Sequence, residues 1–167
     1  MRIERMMLDI TERLQPLANL GVEVEILASV QAEHDRVEPN KGRLSVVFFE
    51  SKPRGEMKST SRMVQDMDLT FHLMIQATKV DGAFGISDLH NRARRLLIGK
   101  DITDCDDLSH GGFMFSRYLN SVWEYVLILN TYTRLVEDYT EFEDAPTVEQ
   151  VTFNEYIQDP QQPVPTP

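Results

Sequence analysis

The sequence predicts an α+β fold, in which a mixed, mainly antiparallel sheet carries two helices on one face and an extended C-terminal arm follows. Three observations predict it. Only two segments of the 167 residues have long helical periodicity, the strand patterns are grouped around them, and prolines punctuate the end of the chain. We therefore assign residues 1–140 to one domain and residues 141–167 to an extended or disordered C-terminal arm.

The two helical segments have apolar residues three and four positions apart. In the first, one side carries Ile3, Met6, Met7, Ile10, Leu14 and Leu17. We expect Pro16 to end this helix near Gln15, because proline lacks an amide donor. In the second, residues 86–97, the core side carries Ile86, Leu89, Ala93, Leu96 and Leu97. Ser87 is the expected cap of this helix, and Gly99 is its expected end.

Four earlier segments have the patterns of strands. Residues 22–27 alternate with a period of two, which predicts a strand with one solvated face. Residues 44–49 are mostly apolar and predict a strand in the centre of the sheet. Residues 66–75 alternate again, and another strand begins at Phe113. Residues 120–121 then predict a tight reversal of the chain.

The last strand, residues 122–135, gives the strongest indication of function. One of its faces carries Trp123, Tyr125, Leu127 and Leu129, and the other carries Val126, Ile128 and Asn130. The centre of the strand is apolar on both sides, so both sides need cover. Two helices in one small domain do not readily give that much cover. The strand therefore favours a structural protein that assembles with partners.

Residues 50–63 lack periodicity and predict a long loop, of which residues 52–62 are basic. Residues 137–149, in contrast, hold six carboxylates and no base. Such opposite patches suit contacts between copies of the chain, although charge alone equally fits a solvated loop and a solvated tail. The candidate residues for a subunit or tube interface are Lys52, Arg54, Lys58, Arg62, Glu137, Asp138, Glu141 and Glu143. An apolar island in the arm gives candidate partner-binding residues, Val151, Phe153, Tyr156 and Ile157.

The composition argues against several classes of protein. The net charge of −10 opposes general binding of nucleic acid, because duplex binding requires clustered Lys and Arg. No apolar run approaches the roughly 18 residues that a membrane span needs, and the charged start does not resemble a signal peptide. The single cysteine, Cys105, cannot form an internal disulfide. We therefore expect a protein of the reducing cytoplasm, or of a particle built there.

Candidates for catalysis are few. The four histidines are scattered without metal-binding spacing, and the sequence has neither a nucleophile elbow nor a phosphate loop. The one constellation with metal-like composition is the set Asp101, Asp104, Cys105, Asp106, Asp107 and His110. Its spacing fits neither an EF-hand nor a structural zinc site, which favours a solvated acidic loop. We expect no catalytic, cofactor or metal site, and a metal-dependent enzyme centred on residues 101–110 is kept as an alternative.

Three stretches, together with the order of elements, resemble a known family. They are the first helix at residues 7–14, the alternating strand at 68–75, and the closing strand at 122–129 that contains Trp123-Glu124-Tyr125. Over about residues 5–136 the chain resembles the Mu-type tail-terminator proteins of tailed phages, which are related to tail-end or tail-completion proteins. It departs from the shorter members of that family in residues 50–63 and after residue 141.

The resemblance implies a subunit of a hexameric ring that caps the tail tube, ends its polymerisation and joins the tail to the neck. The implied partners are the tail tube protein and possible sheath and neck or connector proteins, with phage DNA passing through the lumen without specific binding. The implied location is the head-proximal end of the virion tail, after assembly in the host cytoplasm. Three rivals remain: a head–tail connector or neck (stopper) protein, a monomeric regulatory module that binds through residues 52–62, and the metal-dependent enzyme centred on residues 101–110.

Overall fold

The computed structural model describes residues 2–27, 38–55, 58–59 and 63–136. The chain divides into two units, Met1–Glu137 and Asp138–Pro167, and all described residues belong to the first unit. The predicted arm, residues 141–167, therefore lies outside the described residues.

In the described part of the chain, six strands form one sheet. They are β1 (Glu23–Ile26), β2 (Arg43–Pro53), β3 (Lys58–Ser59), β4 (Met63–Ala77), β5 (Ser109–Leu119) and β6 (Val122–Val136). Across the sheet the order is β1-β2-β4-β6-β5, and β3 pairs with β4. The pair β1–β2 is parallel, and all the other pairs are antiparallel. The predicted mixed, mainly antiparallel sheet is confirmed.

The helices are α1 (Ile3–Arg13), the single turn α2 (Gln15–Ala18) and α3 (Ile86–Leu97). Both long helices pack against the same face of the sheet. Their apolar sides contribute Met6, Ile10, Leu14, Leu89, Ala93 and Leu97 to one core, which the sheet completes with Leu44, Val46, Leu69, Phe71, Leu73, Leu127 and Leu129. The predicted α+β class is confirmed. In the described part of the chain, no helix is long and apolar enough to cross a membrane.

One predicted helix boundary is confirmed and one is wrong. α1 ends at Arg13, two residues before Gln15, and Pro16 lies in the first turn of α2, where a missing amide proton leaves no helical hydrogen bond unmade. Ser87 is not the cap of α3, since Gly85 holds that position and the Ser87 hydroxyl donates to Asp81 Oδ1 at 3.1 Å. The side chain that stabilises this end is Asp88, which accepts from the Phe84 amide at 2.9 Å.

The predicted loop at residues 50–63 is wrong for residues 50–53, which belong to β2, for 58–59, which form β3, and for Met63, where β4 begins. Residues 56–57 and 60–62 lie outside the described residues. After a bulge between Phe48 and Glu50, β2 stays paired with β4 as far as Pro53 opposite Met67. This end of the hairpin is solvated, so burial imposes no apolar alternation on its sequence. Likewise, β5 begins at Ser109, four residues before the predicted start.

The last hairpin agrees with the sequence. Asn120 and Ser121 both have positive φ, at 50° and 63°, which is the conformation of a two-residue turn between antiparallel strands. Leu127 and Leu129 of β6 enter the core under the helices. On the opposite face, Val126 packs against a second small cluster of Leu27, Val47 and Met74. The predicted division of β6 into two faces is confirmed.

Candidate functional site

The basic side chains of the predicted interface lie at the solvated end of the β2–β4 hairpin. Lys52 Nζ lies 2.8 Å from Glu50 Oε1, and Arg54 Nε lies 3.7 Å from Asp68 Oδ1. The Arg54 guanidinium also lies 5.0 Å from the centre of the Tyr132 ring. Both basic side chains are exposed, so these pairs are weak and open to exchange with another molecule.

The remaining interface candidates lie beyond what the structure describes. Lys58 belongs to β3 by its main chain, but its side chain is outside the described residues. Arg62 lies outside them too, as do Glu137, Asp138, Glu141 and Glu143 and the four arm residues Val151, Phe153, Tyr156 and Ile157. The predicted pairing of residues 52–62 with residues 137–149 therefore stays a prediction.

Sequence reasoning missed the acidic partners of this hairpin, Asp66 and Asp68 on β4. Asp66 accepts from Arg134 Nε at 2.7 Å, and Asp68 lies opposite Lys52 in the strand register. Both carboxylates occupy the solvated positions of an alternating strand, where cross-strand charge pairs form. The signal was present in the alternation of residues 66–75, but the pairing needed the register of strands distant in sequence.

The main chain of the acidic segment from Asp101 to His110 is hydrogen-bonded to side chains of α1 and β6. Thr131 Oγ1 donates to the Asp106 carbonyl at 2.7 Å, and the Asp9 carboxylate accepts from the Thr103 amide at 2.7 Å. An open depression of about 630 Å³ lies beside these contacts. Among the described residues, no three His, Cys, Asp or Glu side chains converge in the manner of a metal site.

Cys105 lies in this segment as a half-buried thiol. Burial raises its pKa to about 11, and the surrounding carboxylates Asp104, Asp106 and Asp9 act in the same direction. Its Sγ lies 3.7 Å from Met6 Sδ, at the edge of the core. At neutral pH the thiol is therefore protonated, which makes it a poor nucleophile.

A row of polar side chains crosses the sheet on the face opposite the helices. Arg43 Nε donates to Glu23 Oε2 at 2.6 Å, and its Nη1 donates to Gln76 Oε1 at 3.3 Å. Gln76 Nε2 in turn donates to Glu124 Oε2 at 2.8 Å, and Arg117 Nη2 donates to the same oxygen at 2.9 Å. Glu124 is only 2% exposed. This polar row joins β1, β2, β4, β6 and β5, and it fixes their register.

The outer strand β5 presents an apolar edge to solvent. Its exposed large side chains are Met114 at 56%, Phe115 at 51%, Tyr118 at 53% and Leu119 at 54%. The sequence predicted a strand here, but not that it would be the edge of the sheet. That position follows from the order of the strands, which no local pattern encodes.

The architecture defines a small α+β protein with one highly paired sheet and exposed surfaces at a strand edge and a hairpin end. The chain matches the family model described as Gp37 protein over residues 10–155, and it belongs to that family. The match includes the first part of the predicted arm. No curated protein matches the chain.

A chain in the solved virion of a native gene transfer agent (GTA) particle is similar in structure. The TM-score is 0.51 and the identity is 11%, with 80% of this chain and 97% of that chain covered. At this level of identity, the similarity shows a shared fold.

Proposed function

We propose that this protein is a structural component of a phage-like virion, and that it is the tail terminator at the head-proximal end of the tail. The observation that carries the proposal is the fold shared with a virion chain, 97% of which the match covers. The order of elements and the closing strand with Trp123-Glu124-Tyr125, which resemble tail terminators, support the finer assignment.

In this role the protein forms a ring, with six copies as the expected number, that caps the tail tube, ends its polymerisation and meets the neck. Contacts between two different surfaces of identical subunits generate closed rings when the rotation closes. The net charge of −10 suits a lumen that conducts DNA without gripping it, since carboxylates repel phosphate. Assembly would take place in the host cytoplasm before the tail joins the head, with tube protein as the first partner.

The solvated hairpin end is the proposed contact with a neighbouring subunit or with the tube. Lys52 and Arg54 are 68% and 57% exposed, and their pairs with Glu50 and Asp68 are weak ones. Each can therefore exchange its partner for a carboxylate on another molecule, such as those at 137–143. Contacts of this kind weaken as salt rises, because exposed charges are screened.

Light scattering after size-exclusion chromatography tests the ring, and the length of tubes polymerised with the protein tests termination. We expect a species near 116 kDa, six times the chain mass of 19.3 kDa, and tubes that stop growing once the protein is added. Co-purification with a head connector instead of tube protein would favour the neck or stopper role. A protein that stays monomeric at micromolar concentrations, alone and with tube protein, would contradict both.

Charge-reversal variants distinguish a specific role of the hairpin end in assembly from an effect of total net charge. The double variant Lys52→Glu with Arg54→Glu should lose salt-sensitive assembly. The matched control, Arg95→Glu with Lys100→Glu, changes net charge by the same amount at two other exposed positions and should assemble normally. Equal losses in the two variants would show that total charge matters and the hairpin end does not.

A further inference from the structure

The main-chain groups along the outer side of β5 form an open strand edge. β5 is the last strand in the order of the sheet, and among the described strands it pairs with β6 alone, on its inner side. Within the part of the chain that the structure describes, no main-chain group from Ser109 to Leu119 forms a hydrogen bond on the outer side. An edge of 11 residues can accept a further strand through main-chain hydrogen bonds.

The two edges of the sheet differ in how they are protected. β1 has four residues, and Glu23 and Glu25 place charge along it, which is the usual protection of an edge against further strands. β5 has no carboxylate, and four of its large apolar side chains are more than half exposed in the single chain. The edge of β5 is therefore a docking surface for an apolar strand, and no described segment of the chain covers it.

The chain itself contains a segment with matching chemistry. In an extended conformation, residues 151–157 would place Val151, Phe153 and Ile157 on one side, together with Glu155, and Tyr156 on the other. Residues 137–167 hold eight of the 27 carboxylates of the protein and no Lys, Arg or His. β5 itself carries no carboxylate, and its basic side chains are His110 and Arg117, of which Arg117 is paired with Glu124 of β6. Because the arm is acidic, a strand without carboxylates is an edge that does not repel it.

We propose that residues 151–157 of one copy add as a strand to the outer edge of β5 in a neighbouring copy. The donor segment and the acceptor edge are different surfaces, so the contact is heterologous and can repeat around a ring. Residues 137–150 can span about 46 Å when extended, which is long enough to reach a neighbour. This inference rests on the proposed assembly of several copies, and it identifies the surfaces that hold those copies together.

Substitutions in the full-length chain test both halves of the contact. Met114→Lys and Leu119→Lys alter the acceptor, and Phe153→Lys alters the donor; we expect each to weaken self-association at least tenfold by light scattering. The matched controls are Leu8→Lys and Leu20→Lys, at positions that are 46% and 43% exposed outside β5, and Val164→Lys beyond the apolar island. These controls should assemble as the wild type does.

Cross-linking between copies gives a readout that does not depend on a loss of assembly. In a Cys105→Ala background, one chain carries Leu119→Cys and a second chain carries Asn154→Cys, and the mixture is treated with a short bismaleimide. We expect a covalent dimer in the mixture and none when Leu20→Cys replaces Leu119→Cys. Three results would overturn the proposal. The first is a cross-link that forms only when both cysteines are in one chain, and the second is no cross-link at all under conditions where the wild type assembles. The third is a wild-type protein that is always monomeric.

The outcomes for this contact and for tail termination are separable. Rings that cap tubes normally, but whose assembly is indifferent to the β5 and Phe153 substitutions, would overturn the strand contact and leave the terminator function standing. A cross-linked oligomer that has no effect on tube length would support the strand contact and contradict the terminator function.

Discussion

The two faces of the sheet are stabilised by different kinds of interaction. Under α1 and α3, the face is apolar, and Leu69, Phe71 and Leu73 are fully buried. On the opposite face, the buried positions include Arg43, Gln76 and Glu124, which hydrogen-bond to one another across the strands. Hydrophobic burial is non-directional and tolerates substitutions of similar volume. The polar row, in contrast, requires each partner in place, because a buried polar group that loses its partner is costly.

The largest expected effect is a cavity on the apolar face. Phe71→Ala removes a fully buried ring that packs against Phe48 at 5.6 Å between centroids. We expect the free energy of unfolding to fall by about 3–5 kcal/mol, as measured by chemical denaturation. Phe49→Ala, at a 53% exposed position on the other face, is the control and should cost less than about 1 kcal/mol. Equal costs would show that the core is not concentrated under the helices.

The next largest loss of stability is expected when the central carboxylate of the polar row is removed. Glu124→Ala takes the shared acceptor from Gln76 and Arg117 and should cost roughly 2–4 kcal/mol in the free energy of unfolding. Glu124→Gln preserves shape and one acceptor oxygen, so its cost should be smaller. Glu50→Ala, which removes a half-exposed carboxylate on the same face, should cost much less. If Glu124→Ala were equally mild, the row would be an incidental set of contacts.

The same contrast explains what the sequence could predict. α3 was found because burial on one side imposes a period that can be read locally, as at Leu89, Ala93 and Leu97. β6 was found because its centre is a long apolar run with a period of two. The β2 segment after Phe48 was missed because it is solvated, and its strand conformation follows from pairing with the later strand β4, from Glu50 opposite Thr70 to Pro53 opposite Met67. Gly111 also obscured the start of β5. A Cβ there would lie 2.6 Å from Asn130 Nδ2, so the glycine reflects close packing and not a loop.

The candidate site was predictable to a similar extent. The exposure of Lys52 and Arg54 can be predicted from their charge. That Asp68 lies beside them can be known only from the strand register. The single signal for the polar row was Glu124, a carboxylate between two aromatic residues in the otherwise apolar first half of β6. Its hydrogen-bonding partner Gln76 lies 48 positions earlier in the chain. Such non-local contacts depend on the order of the strands, which one sequence does not encode in any local pattern.

The smallest expected effect concerns a polar atom on the apolar face. His90 of α3 stacks on Phe113 of β5 at 3.9 Å, and its Nε2 is the one buried side-chain polar atom among the described residues without a hydrogen bond. Burial lowers the pKa of His90, and the charges of His110 and Arg94 lower it further. The folded protein therefore holds this histidine neutral at a pH where the unfolded chain protonates it.

The consequence is a loss of stability in acid. Below the ordinary histidine pKa of about 6.5, the unfolded state binds more protons than the folded state, so the free energy of unfolding falls with pH until the lowered pKa is passed. His90→Phe keeps the stacking on Phe113 and removes the titrating group, so its stability should depend less on pH between 7 and 5. His72, whose pKa is also lowered by burial, leaves a residual slope in that variant. An unchanged slope in His90→Phe would mean that His90 is protonated equally in the folded and unfolded states, and that the apolar face tolerates the charge.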